Sequence, residues 1–181
     1  PAVVLPAKAL TGGAVAGVAA IAVGAVAAGK ALYDLGSMWD SVGDKIAMRT
    51  GKFDGDLKAI TDSVQRVAQD TAAPIEKIGD ISGQVVQSLK LTGPALDEMT
   101  RNLTNLDTQA GNPVGVRELA RVYNLFGIEA KDQIKTLNQL FSVSQQTGIP
   151  MQELVTNLTN AGVAAKQFGL DAGQTAGLLA T

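Results

Sequence analysis

Hydrophobic and polar positions change rhythm along the chain, and each rhythm predicts a different element. Residues 9–29, ALTGGAVAGVAAIAVGAVAAG, carry no charge and are bounded by Lys8 and Lys30. A helix of that length at 1.5 Å per residue spans about 31 Å, the thickness of a bilayer hydrocarbon core. From Phe53 the apolar residues fall at alternating four- and three-residue steps, the a/d seam of a coiled coil. Beyond Leu91 come short amphipathic runs separated by glycine. The pattern predicts an all-α chain of extended helices with coiled-coil character, followed by short Gly-punctuated helical repeats. Its segments are an apolar, membrane-like helix at 1–35, a Gly-rich hinge with one short helix at 36–56, a heptad-patterned helix at 57–91 and helical repeats at 92–181.

The apolar stretch is long but chemically weak, since nine of its residues are Ala and five are Gly. Gly13, Gly17, Ala20, Gly24 and Ala28 recur at three- or four-residue steps and form a smooth stripe on which helix backbones can approach closely. In a bilayer, Lys8, Lys30, Tyr33 and Trp39 would lie at the interface. The same composition equally suits a tightly packed helix buried in a soluble assembly. The apolar helix is expected to end near Leu35, interrupted by Gly36 and Ser37, with the short helix of the hinge at about Asp40 to Arg49.

The a/d seam comprises Phe53, Leu57, Ile60, Val64, Val67, Ile78, Ile81 and Val85. Pro74 lies in its register and predicts a kink or break, and Gly79 and Gly83 weaken it further. β-Branched residues at so many seam positions favour self-association of a few copies. A single amphipathic helix folded onto its own chain has the same period, so both outcomes stay open.

The most specific signal is internal repetition. TGPALDEMTRNLTN at 92–105 aligns with TGIPMQELVTNLTN at 147–160, an offset of 55, and Gly127, Gly148 and Gly169 recur 21 residues apart. A glycine that ends a helix in the left-handed conformation lets the following Ile or Leu pack back and the next helix start at once. Pro150 suits a first helical turn, and Asp171 with Gln174 suits an N-terminal cap. Helices this short must bury their apolar faces against neighbours.

Composition removes several functions. There is no Cys and no His, which excludes thiolate and imidazole metal sites, cysteine nucleophiles and histidine-assisted serine catalysis. The acids, Asp54, Asp56, Glu98 and Glu153 among them, show no convergence and suit caps and solvated faces. A net charge of −2 with no basic cluster gives no nucleic-acid face. No enzymatic activity, cofactor or metal is expected. An N-terminal Pro and a C-terminus inside a helical pattern suit a piece of a longer chain.

From about Ala9 to its end the sequence resembles the tape measure protein of a long-tailed bacteriophage. The resemblance rests on the Ala/Gly/Val-rich segment, the heptad-patterned region and repeats of the type TGIPMQELVTNLTNAGVAAKQFGLDAGQTAGLLA. It implies an elongated helical protein held in a few copies, a trimer by preference, within the tail-tube lumen of the virion or at its tip. It implies contact with tail-tube and tail-tip proteins, a role in setting tube length, and release during DNA ejection. Residues 9–29 would then meet the host membrane. Some members carry a peptidoglycan-cleaving domain, for which this chain has no motif. The alternative from a different class is a pore-forming or membrane-active helical protein acting as an oligomer.

Overall fold

The structure is a computed structural model that describes residues 25–51, 54–108, 111 and 113–179, and among these it is all-helical, with eight helices and no strand. The first helix, α1, runs unbroken over Ala25–Thr50, through Gly36, Ser37 and Gly43. The interruption expected at Gly36 is therefore absent, as is a separate hinge helix at Asp40–Arg49. Each interior glycine costs about 1 kcal/mol of helix propensity. That cost is offset by tertiary contact, because Val42, Ile46 and Ala47 are buried, and Gly79 and Gly83 of a later helix receive Val42, Ile46 and the Arg49 stem. The two glycines expected to weaken the seam are thus the close-approach surface for α1.

Helices α2 (Asp54–Asp70) and α3 (Ile75–Leu89) are separated by residues 71–74, and Pro74 is the N-cap of α3. A proline at this position loses no intrahelical hydrogen bond, since the first amides of a helix have no partner in it. The C-cap of α3, Lys90, is left-handed at φ 60°, and α4 spans Gly93–Thr108. The remaining helices are α5 (Val116–Phe126), α6 (Ala130–Thr147), α7 (Met151–Gln167) and α8 (Ala172–Leu179).

Gly127, Gly148 and Gly169 all have φ near +70°, the conformation for which glycine pays no Cβ penalty. At Gly127 and Gly169 the next residue folds back, with Ile128 N–H donating to the Tyr123 carbonyl at 2.8 Å and Leu170 N–H to the Ala165 carbonyl at 3.1 Å. Asp171 and Gln174 cap α8 reciprocally. Asp171 N–H donates to Gln174 Oε1 at 3.0 Å, and Gln174 N–H donates to Asp171 Oδ1 at 2.7 Å.

In three dimensions the 55-residue offset covers far more than the two similar stretches. It carries α2, α3 and α4 onto α5, α6 and α7, and a set of buried positions at helical spacing falls on buried positions in each pair. Val64 and Val67 correspond to Leu119 and Val122, Ile78 and Val85 to Gln133 and Leu140, and Leu96, Met99, Thr100 and Leu103 to Met151, Leu154, Val155 and Leu158. Among the described residues α2–α4 and α5–α7 are thus two tandem three-helix stretches, flanked by α1 and α8, with one hydrophobic core running through them, although α2 packs on α3 more extensively than α5 on α6. Between them α3 packs on α5 and α4 on α6, and α1 covers α3 from the other side. Nearest-neighbour stacking of this kind is the packing logic of helical repeat proteins.

Candidate functional site

Most seam residues are occupied inside one chain. Ile60, Val64, Val67, Ile78 and Val85 are buried, Val64, Val67, Ile78 and Val85 with no exposed surface at all, and Leu57 and Ile81 are half-buried against the same core. Phe53 lies outside the described residues. The a/d rhythm is here the inner face of α2 and α3 turned toward α1 and α4, so those buried side chains have no surface left for a second copy.

Of the membrane-like set, Lys8, Gly13, Gly17, Ala20 and Gly24 lie outside the described residues, while Ala28, Lys30 and Tyr33 fall by backbone on the first turns of α1. Trp39 is half-buried and packs against the core. No helix among the described residues is long and apolar enough to cross a membrane.

Trp39 and Leu57 line a groove between α1 and α2 whose rim carries Asp40, Asp44, Lys58 and Asp62, with Lys58 paired to Asp62 at 2.7 Å. A second shallow groove, between α4 and α6, is lined by Ile134 together with Glu98, Lys131 and Lys135. Neither brings acids or nucleophiles together around an enclosed space. Among the described residues no group of three or more potential ligands could hold a metal ion.

The best-formed polar cluster joins α2 to α4. Asp97 accepts hydrogen bonds from Arg66 Nε at 2.6 Å, from Arg66 Nη2 at 3.1 Å and from the buried Ser63 hydroxyl. Burial tends to raise the Asp97 pKa, but the hydrogen bonds from Arg66 and Ser63 and the positive charge of Arg66 and Arg101 outweigh it. The carboxyl is held below the usual aspartate value. One turn on, Arg101 pairs with Asp70 at 2.6 Å, and Lys77 of α3 pairs with Asp107 at 2.8 Å. Arg49 ties α1 to α3, donating to the Asp80 carbonyl at 3.0 Å with its other nitrogen 3.3 Å from the carboxylate.

The second unit replaces this charge by close packing. Asp70, Asp97, Arg101 and Asp107 correspond to Leu125, Gln152, Thr156 and Gly162. Gly162 lies against Leu125 and Phe126 so tightly that a β-carbon there would collide with Leu125. Gln152 keeps the reach of its counterpart Asp97 back to the first helix of the unit, accepting from Gly115 N–H at 2.9 Å. Tyr123 lies deep in this unit, its hydroxyl donating to the Gln133 carbonyl at 2.9 Å, and burial raises its pKa well above the usual phenol value.

The first-unit braces were missed from sequence because their partners stand 30 or 31 residues apart. The spacing itself was the available signal: Arg66 to Asp97 and Asp70 to Arg101 share it. The cluster braces α2 against α4. In comparison with known protein families, curated proteins and solved structures, the chain matches none.

Proposed function

We propose that this chain is a helical segment of a phage tape measure protein, a structural component of the tail that contributes to tube length and is released as DNA enters the host. Catalysis forms no part of the proposal. The observation that supports it is the joint presence, in one short chain, of a 21-residue Ala/Gly/Val stretch and tandem 55-residue helical units. A ruler acts by geometry. Each unit adds a fixed increment, at most about 70 Å if its helices were laid end to end. Partners on this proposal are the tail tube, the tail tip and a few copies of the protein itself, by preference three. The membrane-like stretch would engage the host envelope after release.

The test is deletion of one complete unit, residues 54–108, from the full-length protein in an assembling phage. Shorter tails, by a constant amount in every particle, are expected; tails of unchanged length would end the ruler role. A second proposal is favoured by residues 9–29 alone: a membrane-active oligomer. It predicts that the purified chain releases dye from liposomes and that Gly17→Leu with Gly24→Leu changes the oligomer formed. Absence of release would remove it.

A further inference from the structure

The chain has five arginines, all among the described residues. Arg49, Arg66 and Arg101 are paired with Asp80, Asp97 and Asp70, whereas Arg117 and Arg121 of α5 are exposed and form no ion pair among the described residues. The repeat register shows why. Arg121 stands where Arg66 stands in the first unit, but the counterpart of Asp97 is Gln152, whose side-chain oxygen accepts from Gly115 N–H instead. Arg117 stands where Asp62 stands, so the charge at that position is reversed. Four residues apart, the two arginines share one face of α5.

A matching pair of opposite sign lies on α1. Asp40 and Asp44 are also four residues apart, both exposed and without an ion pair among the described residues. They rim the open groove of about 760 Å³ between α1 and α2, where Trp39 and Leu57 supply apolar lining. The other two charges at this groove, Lys58 and Asp62, neutralise each other. Its excess charge is thus that of Asp40 and Asp44. Like charges at this spacing destabilise their own helix, a cost that an opposite pair removes.

We propose that α5 of one copy docks on the α1–α2 groove of a second copy, bringing Arg117 and Arg121 to Asp40 and Asp44 beside Trp39. A guanidinium suits both parts of the groove. It meets a carboxylate with two parallel N–H donors and stacks on an aromatic face, while its aliphatic stem covers apolar surface. The shared four-residue spacing lets both pairs form along one helix–helix contact. Because the two surfaces differ, copies join head to tail, or reciprocally as a closed dimer with two identical contacts. The contact uses none of the buried heptad face and does not rest on the ruler role.

The test is self-association of the full chain by sedimentation velocity, with emission from Trp39, the sole tryptophan, reporting the groove. Association that grows with protein concentration at low ionic strength and is lost in about 0.5 M salt is expected, with Trp39 emission shifting in step. Asp40→Arg with Asp44→Arg, or Arg117→Asp with Arg121→Asp, should weaken it by about a hundredfold, since like charges then face each other. An equimolar mixture of the two swapped proteins should associate again, because opposite charges are restored across the contact. All four positions are exposed, and circular dichroism checks that each variant is folded. A chain that stays monomeric at low salt, association that neither swap weakens, or a mixture that fails to associate would overturn the proposal. A monomer whose Trp39 emission shifted with octa-arginine would also overturn it, assigning the groove to a basic segment of a different protein. Pairing through the heptad face would persist in high salt, being apolar, so unfolding in high salt isolates it.

Discussion

Gly79 of α3 lies so close beneath Val42 of α1 that a β-carbon built on it would stand 2.6 Å from Val42 Cγ1. Gly79→Ala must therefore displace α1 or force Val42 from its position. Overpacking costs of this kind run to about 1–3 kcal/mol, against which better helix propensity returns at most about 1 kcal/mol. Net destabilisation is expected in chemical denaturation. Gly36→Ala is the matched control, since nothing lies within 4 Å of its added methyl, and it should stabilise by about 0.5–1 kcal/mol. Equal effects at the two glycines would show that α1 is not seated on α3.

Ile78 is fully buried on α3, the helix that packs on α1, α2 and α4. Truncation by Ile78→Ala should cost about 2–5 kcal/mol. For an intramolecular core the unfolding midpoint of wild type and variant alike is independent of protein concentration. A midpoint that climbs with concentration would show that the heptad face pairs between copies.

The Asp97 brace should be visible as acid sensitivity. Its pKa in the folded chain is below the unfolded value of about 3.9, so its contribution is fully present above that value and is lost as pH falls through the folded pKa. Asp97→Asn should lower stability at neutral pH and flatten the loss of stability below about pH 4. If both proteins lost stability in parallel through that range, the carboxylate would not be the titrating brace.

Gln133 is buried, and its side-chain oxygen has no hydrogen-bond partner, whereas its repeat counterpart is Ile78. Gln133→Leu removes an unpaired polar atom while its backbone carbonyl still accepts from Tyr123, and a gain on the order of 1 kcal/mol is expected. Tyr123→Phe should cost about as much at neutral pH. In wild type, burial should delay ionisation of this phenol beyond the usual tyrosine range, a shift that spectrophotometric titration measures.

Features of the backbone alone were legible from the residues. Glycines 127, 148 and 169 stop helices because a left-handed residue is needed there, and the break expected at Pro74 is present as the gap between α2 and α3. What the residues concealed was destination. The steps from Leu57 to Val85 have the same period whether their partner is another copy or another helix of the same chain. Only the packing of α1 and α4 onto α2 and α3 distinguishes the two. Gly36 was read as a break because its partner helix, which steadies α1 some ten residues later, cannot be inferred from local propensity. The full extent of the 55-residue unit was hidden for a related reason. Ser82 and Leu137, or Thr100 and Val155, occupy equivalent buried positions with unlike chemistry.

That exchange of chemistry at matching positions separates the behaviour of the two units. The first is laced by Arg66, Asp97, Arg101 and Asp70, and such bonds weaken as salt screens them or acid neutralises them. The second is joined where Leu125 and Phe126 meet Gly162, a contact indifferent to both. Two modules in one repeat register are thus expected to respond to different solvents, acid or high ionic strength loosening the first before the second, which gives the tandem array a direction.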